Sequence, residues 1–413
     1  MNHTLKDFSL DILTTNVLDR ATQFKKWIAQ WETDNPVCWL ESEIAVKPEM
    51  SLKNKHSSAA QEVISFISND YLGMSQHPET ILAGVEALLK YGTGACASPM
   101  IGGYLSIHRQ LEEEIAAFTG QEAALIFSSG FGVNTGVLNA LLGKEDIAFI
   151  DLQIHRSVLD GLFRTNTKRI GHNNIEYLEF VLEKERHKYK TAMVIIDGVY
   201  SQDGDITPLP EIAALCKKYN ALLYLDDAHG IGVFGKNGRG VVEHFDMLGQ
   251  VDIITGTLSK SFGTVGGFIA CSNELIDYLR FHANTSIFSA SLTPQAACST
   301  LKAIELIRTD KQYLQKLWDN VNYLRKRLTE EGFDTKQSVS PIFPVMIRNQ
   351  EKMREVVRLL RERNIYVCGV GYPAVTDKEA RVRVSISALH EIKHLDTLVE
   401  AFCEIDNQLH IKK

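Results

Sequence analysis

Residues 221–234 read ALLYLDDAHGIGVF. A short apolar run, long enough for a buried strand, ends in Asp226, Asp227, Ala228, His229 and Gly230. Burying a charge is costly unless something pairs with it. Either the two acids have structural partners, or this strand end awaits a cationic ligand. ALIFS (124–128), IAFID (147–151), AMVIID (192–197), VDIIT (251–255) and GFIAC (267–271) are apolar runs of the same kind. Near-continuous apolar runs of this length are the pattern of strands buried on both faces. Amphipathic stretches such as IEYLEFVLEKERHK and PEIAALCKKYN separate them, and IHRQLEEEIAAF puts Ile107, Leu111, Ile115 and Phe118 on one helical face. The alternation predicts an α/β fold with a mostly parallel sheet wrapped by helices.

Outside this region the texture changes. After Thr293-Pro294, long helices (295–308, 311–332, 351–363, 390–409) separate two strands, IFPVMI (342–347) and VRVSIS (382–387), which predicts a smaller α+β unit. The expected division is an N-terminal helix and arm over 1–75, a large α/β domain over 76–300, and a small C-terminal domain over 301–413. The 413 residues are 45% hydrophobic and 23% charged, so there is ample material for a core. A net charge of −7 argues against a basic nucleic-acid surface. MNHTLKDFSLDIL lacks a basic segment followed by an apolar one, so no signal peptide is expected, and no apolar run approaches membrane-span length. Seven dispersed cysteines without a CxxC pair read as reduced thiols, which predicts a cytoplasmic protein without a metal site.

Ligands of open parallel sheets bind beyond the carboxyl ends of strands. FSSGFGVN, DLQIH, DGVYSQDGD, DDAHG and TGTLSKSFG each follow an apolar run here, and so gather Ser, Asp, His, Gly and Lys at one edge. LDDAHGIGVFGKNGRG, followed by GTLSKSFGTVGGF, closely resembles the α-oxoamine synthases. So do SNDYLG (68–73), YGTGACASPMIGGYLSIH (91–108), FSSGFGVN (127–134), DGVYSQDGD (197–205), FSASLTP (288–294) and RVRVSIS (381–387). These are pyridoxal 5'-phosphate enzymes of fold type I, with a seven-stranded type of sheet in the large domain, that condense an amino acid with an acyl thioester.

The resemblance implies a role for each matched residue. Lys260 joins the cofactor's aldehyde and, once freed, serves as the base at the substrate's Cα. Asp226 pairs with the protonated ring nitrogen, which answers the opening question, and His229 hydrogen-bonds the ring's 3-oxygen. His155 stacks over the ring. Ser129, Gly130, Phe131 and Thr257 hold the phosphate, together with a Ser289 contributed by the neighbouring subunit of a homodimer. Ser201 supports the cofactor's oxygen. Arg383 clamps the substrate carboxylate with help from Asn69. His108 is expected to touch cofactor or substrate without moving a proton.

Two positions depart from the family pattern: Asp197 where glutamate is frequent, and Pro99 where related enzymes have arginine. Blander readings apply elsewhere. Asp227 caps the following helix, and Arg381 is an ordinary ion-pair former. LSKSFGTVGGF favours serine palmitoyltransferase-like chemistry, with serine and a long-chain thioester of CoA or a carrier protein. IGGYLSIH points to 8-amino-7-oxononanoate synthase, using alanine and a pimeloyl thioester; glycine C-acetyltransferase is a further alternative. An aminotransferase or aldolase of the same fold is disfavoured by SNDYLG and DDAHG. A non-catalytic subunit is disfavoured by the presence of Lys260.

Overall fold

A computed structural model describes residues 16–34, 39–54, 59–372 and 374–412. Its centre is a seven-stranded sheet. The spatial order is Ala123–Phe127, Gly267–Cys271, Ile253–Thr257, Leu222–Asp226, Ala192–Asp197, Ile147–Asp151 and Asn166–Ile170. All neighbours run parallel except Gly267–Cys271, which is antiparallel to both of its partners. That exception has a simple cause. Only residues 258–266 join it to the preceding strand, too few for the crossover that a parallel return needs.

Side chains alternate across the strands into two cores. Val194, Ile196, Leu223, Leu225 and Ile254 pack on one face, and Met193, Ile195, Tyr224 and Ile253 on the other. Burial on both faces is what the unbroken apolar runs required. Asn166–Ile170 carries Lys168 and Arg169 at the sheet edge, is mostly solvent-facing, and so has no apolar run to announce it.

The C-terminal part packs Gln312–Glu330, Gln350–Glu362 and Ile392–Leu409 with an antiparallel sheet ordered Ile342–Met346, Arg381–Ser385, Cys368–Val370. Helix Pro294–Thr309 runs unbroken through residue 300. Near the N-terminus, the helix Val17–Asp34 is followed by Glu41–Ser42, Glu49–Lys53 and Gln61–Ser65, which form a small sheet with Ile365–Tyr366. The expected arm is therefore largely a sheet that ties residue 65 to residue 366; Met1 to Thr15 lie outside the described residues. No described helix is long and apolar enough to cross a membrane.

Candidate active site

The strand ends converge on a cavity of about 310 Å³. Ser129, Gly130, Phe131, His155, Ser201, Asp226, His229, Thr257 and Lys260 all line it, and Asp197 joins them. Nine of the expected residues, drawn from five sequence segments, thus share one space.

Asp226 is the last residue of its strand and is buried. Its Oδ2 accepts from Asn134 Nδ2 at 2.6 Å and its Oδ1 from the Ala228 amide at 3.1 Å. Asn134 is in turn fixed on all sides. It donates to Ser157 Oγ at 2.9 Å and accepts from the Tyr224 hydroxyl at 2.7 Å and Thr255 Oγ1 at 3.3 Å. Nothing in the sequence marks Asn134, because its partners come from three separate segments. Asp227 behaves differently. Its Oδ2 accepts from the amide of Val241, the first residue of helix Val241–His244, at 2.8 Å, so it does cap a helix. Burial, reinforced by the Asp226 charge, holds the Asp227 carboxyl well above the usual carboxylate range.

Lys260 lies in the connection between the antiparallel pair of strands. Burial pulls its ammonium down to about 8, although the charges of Asp226 and Asp197 oppose the shift. More of it is neutral near pH 7 than of an ordinary lysine. His229 is buried, and its Nδ1 lies 2.7 Å from the Tyr71 hydroxyl. Burial, together with the Lys260 and Arg383 charges, keeps His229 well below the usual imidazole range, and hence neutral. Tyr71, also absent from the expected set, has its phenol pushed up to about 12 by burial. Its hydroxyl lies 3.2 Å from Asn69 Oδ1, which accepts from Arg383 Nη2 at 3.3 Å. The chain His229–Tyr71–Asn69–Arg383 links two of the predicted residues through two positions inside SNDYLG.

His155 caps helix Arg156–Gly161, with Nδ1 2.7 Å from Ser157 Oγ, and burial lowers its pKa. Ser129 caps helix Gly130–Leu141, its Oγ accepting from the Gly132 amide at 3.0 Å. The open amides of that first turn favour an anion. A side chain at Gly130 would crowd the site: a Cβ would stand 3.0 Å from Thr257 Oγ1, which lies 2.8 Å from Ser259 Oγ. Arg383 is buried and held by three bonds: Nε to the Ser201 carbonyl at 2.7 Å, Nη1 to Ser385 Oγ at 2.7 Å, and Nη2 to Asn69.

Two expectations land elsewhere. Ser289 does not line its own chain's cavity; its Oγ lies 3.2 Å from Ser128 Oγ. His108 does not line this cavity either. Its Nδ1 accepts from the Leu105 amide at 3.1 Å and its Nε2 meets the Leu292 carbonyl at 2.8 Å, so both ring nitrogens are spent on backbone, away from Lys260. Of the two departures, Asp197 is buried in the cavity wall with no partner for Oδ1, and Pro99 opens the short helix Pro99–Ile101. Arg381 forms a buried ion pair with Asp203, as the blander reading expected.

A family model for aminotransferase class I and II matches residues 61–402. An 8-amino-7-oxononanoate synthase from Thermoanaerobacter pseudethanolicus is 42% identical over 85% of this chain and 89% of its own length. A serine palmitoyltransferase from Bacteroides ovatus is 42% identical over 82% of this chain and 86% of its own. The chain belongs to the α-oxoamine synthases. A solved α-oxoamine synthase, the serine palmitoyltransferase of S. paucimobilis with bound PLP–myriocin aldimine, superposes with a TM-score of 0.89 at 31% identity. It covers 96% of this chain and 100% of that one. As an α-oxoamine synthase the protein is a pyridoxal phosphate-dependent acyltransferase of fold type I, acting on an amino acid and an acyl thioester. The cavity fits that cofactor. It offers a primary amine with lowered basicity, a fixed carboxylate for a ring cation, and a helix N-terminus with hydroxyls for a phosphate.

Proposed function

We propose that this α-oxoamine synthase condenses serine with a long-chain acyl thioester. Pyridoxal phosphate, when bound, supplies the electron sink for a carbanion at the amino acid's Cα. Lys260 is the residue that holds the cofactor, and its Nζ takes the Cα proton. Asp226, fixed by Asn134, keeps the ring nitrogen protonated. Neutral His229, fixed by Tyr71, serves the ring oxygen together with Ser201, and His155 covers the ring face. Ser129, Gly130, Phe131 and Thr257 receive the phosphate, with Ser289 reaching in from a second copy of a homodimer. Ser289's place outside its own cavity, beside a Phe288 that is 84% exposed, supports that arrangement. Arg383 and Asn69 take the substrate carboxylate, and so decide which Cα bond stands across the ring. The new bond joins Cα to the thioester carbonyl, the sulfur departs as a thiol by taking up a proton, the carboxylate leaves as CO₂, and a proton returns to Cα.

The observation that carries this reading is the gathering of Lys260, Asp226, His229 and the Ser129–Gly130 helix start around one cavity. Serine is supported by LSKSFGTVGGF and by the extent of the likeness to the S. paucimobilis enzyme. Alanine with a pimeloyl thioester is the second reading, supported by IGGYLSIH and by the Thermoanaerobacter relative. A cytoplasmic setting is supported by six described cysteines that form no disulfide. Thiol release, measured with glycine, alanine and serine against short, pimeloyl and long-chain acyl-CoA, tests the choice. Release only with alanine and pimeloyl-CoA transfers the assignment to the second reading, and release only with glycine and acetyl-CoA removes both.

A further inference from the structure

Arg381 and Arg383 stand two apart on one strand, and so share a face of the sheet. Both reach into the same turn, residues 200–205. Arg383 Nε donates to the Ser201 carbonyl at 2.7 Å, while Arg381 Nη1 meets the Asp203 carboxylate and, at 3.4 Å, the Gln202 carbonyl. The turn is closed by the Tyr200 amide on the Asp205 carbonyl at 3.0 Å and the Gly204 amide on the Tyr200 carbonyl at 2.8 Å. It is pressed against the segment 338–342. Gly204 has φ +71°, a Cβ there would come 2.3 Å from the Ile342 carbonyl oxygen, and the Val339 amide donates to the Gly204 carbonyl at 3.1 Å. Asp203 is 6% exposed and also accepts from Gln153 Nε2 at 3.0 Å and Lys336 Nζ at 3.1 Å.

We propose that Arg381 and Asp203 are positioning residues: their buried ion pair sets the turn 200–205, and the Ser201 carbonyl on that turn fixes the plane of the Arg383 guanidinium. A guanidinium grips a carboxylate through two parallel bonds, so a tilt of its plane weakens the grip without removing the charge. The proposal rests on the reading of Arg383 as the carboxylate clamp.

The test separates carboxylate recognition from general damage. The cofactor's absorbance band in the holoenzyme is titrated with serine and with ethanolamine, which keeps the amine and hydroxyl but lacks the carboxylate. If alanine is the amino acid that shifts the band, ethylamine is its counterpart. Three variants are compared: Asp203→Asn; the double variant Asp203→Leu with Arg381→Met, which strands no buried charge and stays folded if the single change does not; and Arg383→Lys. The expected result is a rise of about tenfold in the amino acid's Kd in the Asp203 variants, with the amine's Kd nearly unchanged. Equal rises for both ligands, or an unchanged ratio where Arg383→Lys does lower it, overturn the positioning role alone. An unchanged ratio in Arg383→Lys overturns the clamp reading and the proposal with it.

Discussion

Two acid-rich clusters lie at the ends of neighbouring strands, and they differ in how many of the protein's own cations meet their carboxylates. Beside the cavity, Asp226 and Asp197 end adjacent strands in register, Asp197 Oδ1 has no hydrogen-bond partner, and Lys260 supplies the nearby cation. One strand further out, Asp151, Asp203 and Asp205 meet His172, Lys336 and Arg381. His172 Nδ1 lies 3.0 Å from Asp151 and Nε2 2.9 Å from Asp205, while Lys336 and Arg381 grip Asp203. His172, Asp203 and Asp205 have the spacing of a metal set, with their ligand atoms within 4.8 Å of one another, yet cations of the protein already fill it. Acid content alone does not mark a ligand site. What sets the cavity apart is that two carboxylates share one lysine beside open space; an unpartnered oxygen alone does not, since Asp205 Oδ1 and Asp227 Oδ1 also lack hydrogen-bond partners.

The sharpest way to break this contrast is at Lys260. Lys260→Ala abolishes the covalently held cofactor's visible band and lowers thiol release on the order of 10²–10⁴-fold. Spectra and turnover of the same sample check both. A variant that keeps its band and its rate would place the chemistry elsewhere.

Next in size is a contrast between adjacent carboxylates. Asp226→Asn keeps the shape and lowers activity by on the order of 10²-fold. It also moves Lys260 below about 8, since the Asp226 charge raises that lysine's pKa; the pH dependence of Lys260 modification in cofactor-free protein reads the shift. Asp227→Ala instead leaves the Val241 amide unpaired in the interior, and destabilises by about 1–3 kcal/mol in a denaturant titration. If Asp227→Ala proves neutral for stability while Asp226→Asn unfolds the chain, the assignment of ligand site and structural cap is reversed.

How much of this could be read from the chain follows the same division. Strands such as Ala192–Asp197 are legible because both faces are buried, so every residue is apolar until the chemistry begins at Asp197. The edge strand Asn166–Ile170 is illegible for the opposite reason, and the reversed direction of Gly267–Cys271 is a matter of connection length rather than residue type. In the cavity, Lys260, Asp226 and His229 stand out because their types clash with the apolar context. Asn134 and Tyr71 do not: an asparagine in a helix and a tyrosine in a loop become positioning groups only when distant strands arrive. His108 is ambiguous in sequence, because a histidine beside a glycine-rich turn can face a ligand or cap a helix; the structure shows both ring nitrogens on backbone.

His172 sharpens the comparison through pH. Burial alone would lower its pKa, but hydrogen bonds and charges from Asp151 and Asp205 outweigh this and bring it to about 9, against an ordinary value of 6.5. A group whose pKa is raised on folding stabilises the fold fully below its unfolded pKa and loses that contribution as pH climbs through the folded one. Unfolding free energy should therefore fall between about pH 6.5 and 9 by on the order of 2 kcal/mol, allowing for partial exposure. His172→Gln should flatten that slope. A slope unaffected by the substitution would mean that His172 is neutral in the fold, and the outer cluster less completely paired than its distances imply.

The smallest expected effect concerns His108. Its two ring nitrogens bridge the Leu105 amide and the Leu292 carbonyl, joining the start of helix Ser106–Thr119 to the segment just before Pro294. His108→Ala removes both bonds and should cost about 1 kcal/mol of stability, because the groups released are backbone and one of them is buried. The amino acid's Kd, read from the cofactor band, should move by less than about twofold, since no atom of His108 lines the cavity. Arg383→Lys makes the useful control, because it disturbs a guanidinium with three fixed bonds beside Ser201. Should His108→Ala weaken the amino acid as much as Arg383→Lys does, the helix start would be coupled to the substrate, and engagement of both ring nitrogens by backbone would not mark His108 as structural.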